Sequence, residues 1–189
     1  MKNAHIPILG FAAFSGTGKT TLLSKLIPLL KQSGLRIGLI KHSHHNFEID
    51  KPGKDSYRLR EAGASPVMLV SSHRRAIITE FNNIKEPKLD DQLKAFEQSE
   101  LDLILVEGFK AESFPKIELH RPSLQKTLIF PTDPDIIALA TDEKFTLTQS
   151  NTGLPLTKIP ELCFPVLLDI NHPEQIALFI LKRFLGHQK

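Results

Sequence analysis

Ala13-Phe14-Ser15-Gly16-Thr17-Gly18-Lys19-Thr20-Thr21 follows an apolar run from Ile6 to Ala12 and opens a leucine-rich segment of helical period. This order, buried strand, glycine turn, amphipathic helix, is that of a phosphate-binding loop. Glycines at 16 and 18 allow torsions that turn successive backbone N–H groups toward phosphate oxygens, and the helix that follows presents its positive dipole end to the same anion. Lys19 is then placed to reach the β- and γ-phosphates as a catalytic group, and the Thr20 hydroxyl to ligate Mg²⁺. Ser15, Gly16, Thr17, Gly18, Lys19, Thr20 and Thr21 are therefore the expected nucleotide-binding residues. One position departs from the G-x-x-x-x-G-K-[ST] pattern, since Ala13 stands where glycine is usual.

Outward from the loop, Leu22, Leu23, Leu26, Ile27, Leu29 and Leu30 recur at helical spacing, and Gly34 supplies a stop. Pro28 lacks the N–H that would bond Ser24, so a bend is expected there. The chain has 189 residues, 41% of them apolar and 24% charged, which suits one globular domain over residues 1–189. A net charge of +3, with basic residues dispersed, favours small anionic ligands and gives no argument for nucleic acid. The single cysteine, Cys163, cannot close an internal disulfide. Lys2 and the apolar run after it loosely resemble a secretory signal, but cleavage there would strip the loop of its strand. The expectation is a cytoplasmic protein without a membrane segment.

A second parallel strand is expected at Leu35–Ile40, ending in Lys41-His42-Ser43-His44-His45. Residues at the C-terminal end of a parallel strand face the ligand crevice. His42, His44 and His45 are thus open to three readings: contacts to an anionic substrate or nucleotide, a transition-metal site, or a polar loop. Asp50 and Asp55 are candidates for Mg²⁺, for orienting a water, or for a helix cap before the short helix ending at Gly63. Val67–Val70 and Ala76–Thr79 are joined too closely for a helical crossover, so an antiparallel hairpin is expected. Lys88–Gln98 reads as an amphipathic helix.

Leu101-Asp102-Leu103-Ile104-Leu105-Val106-Glu107-Gly108-Phe109-Lys110 has the near-continuous apolar run of a strand buried on both faces. An acid at its C-terminal end falls beside the phosphate loop, making Glu107 the candidate Walker B carboxylate, a catalytic residue and Mg²⁺ ligand. Gly108 would let the backbone approach a terminal phosphate. Between Phe114 and Phe130, Ile117–His120 and Thr127–Phe130, punctuated by Pro115, Pro122 and Pro131, read as short or edge strands. Ile136–Ala140 is a further core strand, and Asp142 beyond it is placed to accept from guanine N1–H and N2–H₂, or is a turn aspartate. Val166–Asp169 is a last strand and 173–185 a C-terminal helix. The expected fold is α/β, a mostly parallel sheet of the P-loop NTPase type flanked by helices, with an additional antiparallel β extension.

The strings Ala-Phe-Ser-Gly-Thr-Gly-Lys-Thr-Thr-Leu-Leu, Gly-Leu-Ile-Lys-His-Ser-His-His, Asp-Lys-Pro-Gly-Lys-Asp-Ser-Tyr and Leu-Asp-Leu-Ile-Leu-Val-Glu-Gly-Phe-Lys jointly resemble the MobB family of molybdenum-cofactor biosynthesis proteins. The resemblance runs over most of the chain, and Ala13 is at home in it. It implies a homodimeric GTP-binding protein with weak GTPase activity. Such a protein assists a MobA-type guanylyltransferase that joins GMP to molybdopterin, forming the guanine dinucleotide cofactor. It also implies that His42–His45 and Asp50–Asp55 line the groove for the pterin or nucleotide phosphates, and that the dimer uses extended β-structure. The residues alone leave open a small-molecule kinase, a metallochaperone GTPase, or a cofactor-binding module switched by nucleotide.

Overall fold

The computed structural model describes residues 1–43, 46–82, 85–142, 152–153 and 165–186. His44 and His45, Cys163, and most of the chain between the last two strands therefore lie outside the described residues. The chain divides into two compact units, one of Met1–His42 with the chain from Lys88 onward, the other of Ser43–Pro87.

The larger unit is built on six parallel strands in the order β2-β5-β1-β6-β7-β8. These are β1 (Ile8–Ala12), β2 (Ile37–Lys41), β5 (Leu103–Glu107), β6 (Lys116–His120), β7 (Ile136–Thr141) and β8 (Val166–Asp169). Every residue of β1 is buried, as its apolar run requires of a strand covered on both faces. The chain leaves β1 for β2 on one side and later fills the other side with β6 to β8, so the loop after β1 opens between β5 and β6, the crevice where α/β sheets bind ligands.

Helix α1 (Lys19–Gln32) buries Leu22, Leu23, Leu26 and Leu30 against Leu9, Phe11, Leu103, Leu105, Ile117 and Leu119. Pro28 lies inside this helix, and Gly34, at φ 91°, ends it, its N–H donating to the Lys31 carbonyl. The same face is completed by α4 (Pro173–Phe179), which runs on into a π-helical turn, Ile180–Phe184. A separate apolar cluster gathers Leu89 and Leu93 of α3 (Leu89–Ala95) with Ile8, Ile104, Val106, Phe109 and Phe114. Asp102 sits at the entrance of β5, where it accepts from Arg36 Nε and Nη2 at 3.0 and 2.9 Å.

The segment 114–130 meets the expectation of short or edge strands in part: Ile117–His120 falls in a short strand, but not at an edge. β6 is an interior strand, paired with β1 and β7, and all five of its residues are buried. Its two charged side chains have partners that a local pattern does not show. Lys116 Nζ lies 3.0 Å from Asp133 and 3.6 Å from Asp135, and donates to the Glu112 carbonyl at 2.9 Å. The Glu118 carboxylate accepts from the N–H groups of Ile129 and Phe130, both at 2.8 Å. Residues 127–130 form no strand: two of their N–H groups are spent on Glu118, while Leu128 and Phe130 pack on Ala12, Ile136 and Leu139.

The smaller unit holds α2 (Asp55–Glu61) and the expected antiparallel hairpin, β3 (Val67–Val70) with β4 (Arg75–Ile78). Arg60 joins its parts, lying 2.7 Å from Glu48 and 2.5 Å from Glu80. Met68 and Ile77 face each other across the hairpin and are more than half exposed, at 57% and 54%.

Candidate nucleotide site

Because all six strands run the same way, Ala12, Lys41, Glu107, His120 and Thr141 end along one edge of the sheet, and the expected phosphate loop leaves from it. Ala13 is almost fully buried in the core beneath α1, so the methyl that departs from the glycine pattern is used in packing. Ser15 and Gly16 are exposed; a Cβ on Gly16, at φ 81°, would meet nothing within 4 Å. Gly18 caps α1 in the left-handed region, at φ 97° and ψ 23°, and no side chain caps this helix. The N–H groups of the first turn, which have no acceptor inside a helix, are thus left for an anion arriving over Gly16.

Thr17 is buried and shapes the loop from inside, its hydroxyl donating to the Phe14 carbonyl at 2.8 Å, whereas Thr20 and Thr21 are exposed at the start of α1. Lys19 Nζ curls back over the loop, 3.3 Å from the Ala13 carbonyl and 3.5 Å from that of Phe14. These bonds are long, and phosphate oxygens offer stronger acceptors. Burial lowers the Lys19 pKa, and the positive charges of Lys110 and Lys41 lower it further while Glu107 opposes them. An anion placed here relieves that repulsion.

Glu107 stands at the end of β5 as expected, its side chain 13% exposed. It is not alone. Lys41, directly across the register on β2, lies 3.0 Å from its Oε2. The chain then turns sharply through Gly108 (φ 103°) and Phe109 (φ 52°). A Cβ on Gly108 would sit 2.6 Å from His42 Cβ, so glycine here allows β2 and β5 to end side by side. The His42 ring stacks on Phe109 at 4.7 Å, and Lys110 Nζ lies 5.3 Å from the centre of the Phe14 ring. Lys19, Lys41, Glu107 and Lys110 thus share one electrostatic environment, in which the sequence alone gives individual roles to Lys19 and Glu107 and none to Lys41 or Lys110. Lys41 was visible in the sequence at the end of an expected strand.

The other expected residues fall as follows. Asp142 follows β7, and its Oδ2 accepts from Arg121 Nη1, while Oδ1 is buried without a hydrogen-bond partner among the described residues. Arg121 also donates through Nε to the Thr17 carbonyl at 3.0 Å and through Nη2 to Asn171 Oδ1 at 3.4 Å. Sequence reasoning missed this arginine. Asp50 lies in the smaller unit, buried, with Oδ1 accepting from Ser56 Oγ at 2.9 Å and Oδ2 unpartnered among the described residues. Neither it nor Asp55 caps α2, whose N-cap residue is Lys54. Among the described residues, no three of His, Cys, Asp and Glu converge as a metal cage, and no helix is long and apolar enough to cross a membrane.

Comparison with known proteins bears on the family and the fold. Residues 8–142 match the family model described as MobB, molybdopterin guanine dinucleotide synthesis protein B. A molybdopterin-guanine dinucleotide biosynthesis adapter protein of Haemophilus influenzae is 46% identical over 98% of this chain and 93% of its own length. The adapter protein of Escherichia coli K12 is 45% identical over 94% and 93%. In fold, a crystal structure of molybdopterin-guanine biosynthesis protein B superposes with a TM-score of 0.61 at 23% identity, covering 93% of this chain and 98% of that one. The structure of Bacillus subtilis MobB does so at 0.62 and 20%, covering 93% and 96%. With an interior strand leading into a glycine loop, an acid-tipped neighbour, and similarity to those adapter proteins over nearly its whole length, the chain belongs to the MobB family.

Proposed function

We propose that this chain is a GTP-binding accessory protein of molybdenum-cofactor biosynthesis, which assists a MobA-type guanylyltransferase in attaching GMP to molybdopterin. The observation that carries the reading is the uncapped start of α1 beneath an open Gly16, with Lys19 held over the loop by two long hydrogen bonds. Family membership supports the pathway, since the relatives are named as adapter proteins of that biosynthesis.

The nucleotide's phosphates take the first-turn N–H groups and Lys19. Thr20 and Glu107 supply oxygen donors fitting Mg²⁺, which is usually held by one or two carboxylates and the substrate's phosphates rather than by a protein cage. The metal would supply charge neutralisation on the β- and γ-phosphates. Glu107 is engaged by Lys41, and no further base is expected to position water, so hydrolysis is slow. His42 and Gly108 lie at the same sheet edge and are assigned to the nucleotide or pterin side; His44 and His45 carry the same assignment from sequence. Asp50, in the smaller unit, keeps from sequence its reading as a candidate Mg²⁺ ligand, and its Oδ2 has no hydrogen-bond partner among the described residues. The protein acts in the cytoplasm as a homodimer. Because β6 is interior, the dimer's extended β-structure is assigned to the hairpin β3–β4, whose Met68 and Ile77 form an exposed apolar pair.

The test is reconstituted cofactor synthesis with a guanylyltransferase partner, GTP, Mg²⁺ and molybdopterin. Wild-type protein increases guanine dinucleotide formation, and Lys19→Ala removes the increase. In binding, Lys19→Ala loses charge-assisted hydrogen bonds and weakens nucleotide by about 10- to 150-fold. No stimulation by wild-type protein overturns the accessory role, and unchanged affinity in Lys19→Ala overturns the phosphate-loop assignment. Transfer of phosphate to an acceptor faster than to water identifies a kinase instead.

A further inference from the structure

Arg121 is the side chain that reaches furthest across the sheet edge. It starts beyond the end of β6, and its guanidinium meets three groups distant in sequence: the Thr17 carbonyl inside the phosphate loop, Asp142 after β7 and Asn171 after β8. Its Nη2 is also the nearest atom to the space a Cβ on Gly18 would occupy, at 3.9 Å. Arg121 therefore lies against the two loop residues whose conformation decides where the first-turn N–H groups point. It is 30% exposed and Asp142 20%, so the pair is partly removed from water, where a charge-assisted bond is stronger than on an open surface.

This geometry bears on what Asp142 does. Reading guanine takes both carboxylate oxygens, one for N1–H and one for the exocyclic amine. Here Oδ2 is committed to Arg121, and Oδ1 is buried. The neighbouring Thr141 Oγ1 is likewise buried without a partner among the described residues, so the strand end is turned inward.

We propose that Arg121 is a positioning residue of the phosphate loop, that Asp142 serves as its anchor and not as a reader of the base, and that both act on nucleoside triphosphates through the Thr17 carbonyl. The inference rests on the phosphate-loop reading above. A planar guanidinium can donate to a carbonyl and a carboxylate in fixed directions at once, whereas a lysine ammonium at this position reaches one or the other. The ligand sensed is the triphosphate, common to GTP and ATP. Nucleobase selectivity then lies elsewhere in the chain.

The experiment measures dissociation constants for GTP and ATP, with Mg²⁺, on wild-type protein and on Lys19→Ala, Asp142→Asn, Arg121→Lys, Arg121→Ala and the Arg121→Ala/Asp142→Asn pair. Asp142→Asn and Arg121→Ala are expected to weaken GTP and ATP by the same factor, about tenfold for one charge-assisted hydrogen bond. The double variant should be no worse than Arg121→Ala, because the two act as one unit. Arg121→Lys recovers part of the loss. A base-reading Asp142 gives another pattern: Asp142→Asn weakens GTP alone while Arg121→Ala leaves the GTP-to-ATP ratio unchanged, and this result overturns the proposal. If Lys19→Ala loses nucleotide and neither Arg121→Ala nor Asp142→Asn does, the inference fails and the phosphate-loop reading stands. If Lys19→Ala also binds normally, both fail. Should Arg121→Ala not fold, the near-isosteric Asp142→Asn decides through the GTP-to-ATP ratio.

Discussion

The buried Glu118 should contribute a loss of stability as pH rises from 4.5 toward 7. Burial raises its pKa to about 7 from an ordinary 4.5; the N–H bonds from Ile129 and Phe130 hold it down, Asp133 adds to the rise, and Lys110 opposes it. Below pH 4.5 the folded and unfolded chains both carry the proton. Between 4.5 and 7 the folded chain keeps a proton that the unfolded chain releases, so unfolding is favoured as pH increases, and above 7 the loss levels off. At 1.36 kcal/mol per pKa unit, going from pH 5 to pH 8 removes about 2–3 kcal/mol, a large share of an ordinary domain's stability. The assay is urea unfolding of wild type and Glu118→Gln at pH 5, 6, 7 and 8. Glutamine keeps one acceptor and sets its amide against the other N–H, at a cost of about 1–3 kcal/mol at every pH. The variant should therefore start less stable at pH 5 and close the gap by about 2–3 kcal/mol by pH 8. His120, whose pKa burial lowers despite the charge of Asp142, acts in the opposite sense as pH falls, but it does so in both proteins and cancels in the difference. Two curves that stay parallel over this range would refute the reasoning.

Three further outcomes can be checked. Gly108→Ala forces a side chain into a positive φ with its Cβ against His42 Cβ, and should lower the thermal midpoint while weakening nucleotide binding, read by calorimetry and titration on one sample. Ala13→Gly restores the usual loop pattern yet removes a buried methyl and adds backbone freedom; it should destabilise by about 1 kcal/mol in urea unfolding with nucleotide affinity unchanged. Replacing the exposed apolar pair with Met68→Lys and Ile77→Lys should turn a dimer into a monomer by light scattering, and a dimer that survives both changes places the interface elsewhere.

The loop, its helix and the acid that ends β5 were legible because each is encoded locally: two glycines and a lysine, leucines at helical spacing, an apolar run ending in Glu107. The hairpin was equally legible from the shortness of its connection. The strand at Ile117–His120 was legible too, but its interior place was not, since polar residues alternating with apolar ones between prolines read as a short or edge strand. The burial of Lys116 and Glu118 depends on Asp133, Asp135 and the N–H groups of Ile129 and Phe130, all supplied by later chain. Residues 127–130 misled for the converse reason: an apolar run packs into a core whether or not it pairs as a strand. Arg121 carried no local signal, because its partners lie 104 residues back at Thr17 and 21 and 50 residues ahead at Asp142 and Asn171. Asp142 was placed at the right sheet edge by its strand, but nothing short of tertiary structure could pair it with that arginine.

The position of β1 also has a meaning in time. Both of its neighbours come from far along the chain: Ile8 pairs with Ile104, and Gly10 with Lys116. During synthesis, an emerging chain exposes the apolar strand from Ile8 to Ala12 until His120 has left the ribosome, because only then can β5 and β6 close on either side of it. Parallel pairings of this span are slow to form and leave hydrophobic surface open to aggregation while they wait. A strand made well before both of its neighbours is thus finished only after them. If the proposed GTP binding holds, a GTP analogue retained on the nascent chain reports completion of the sheet centre, and truncated products ending before β6 should fail to retain it.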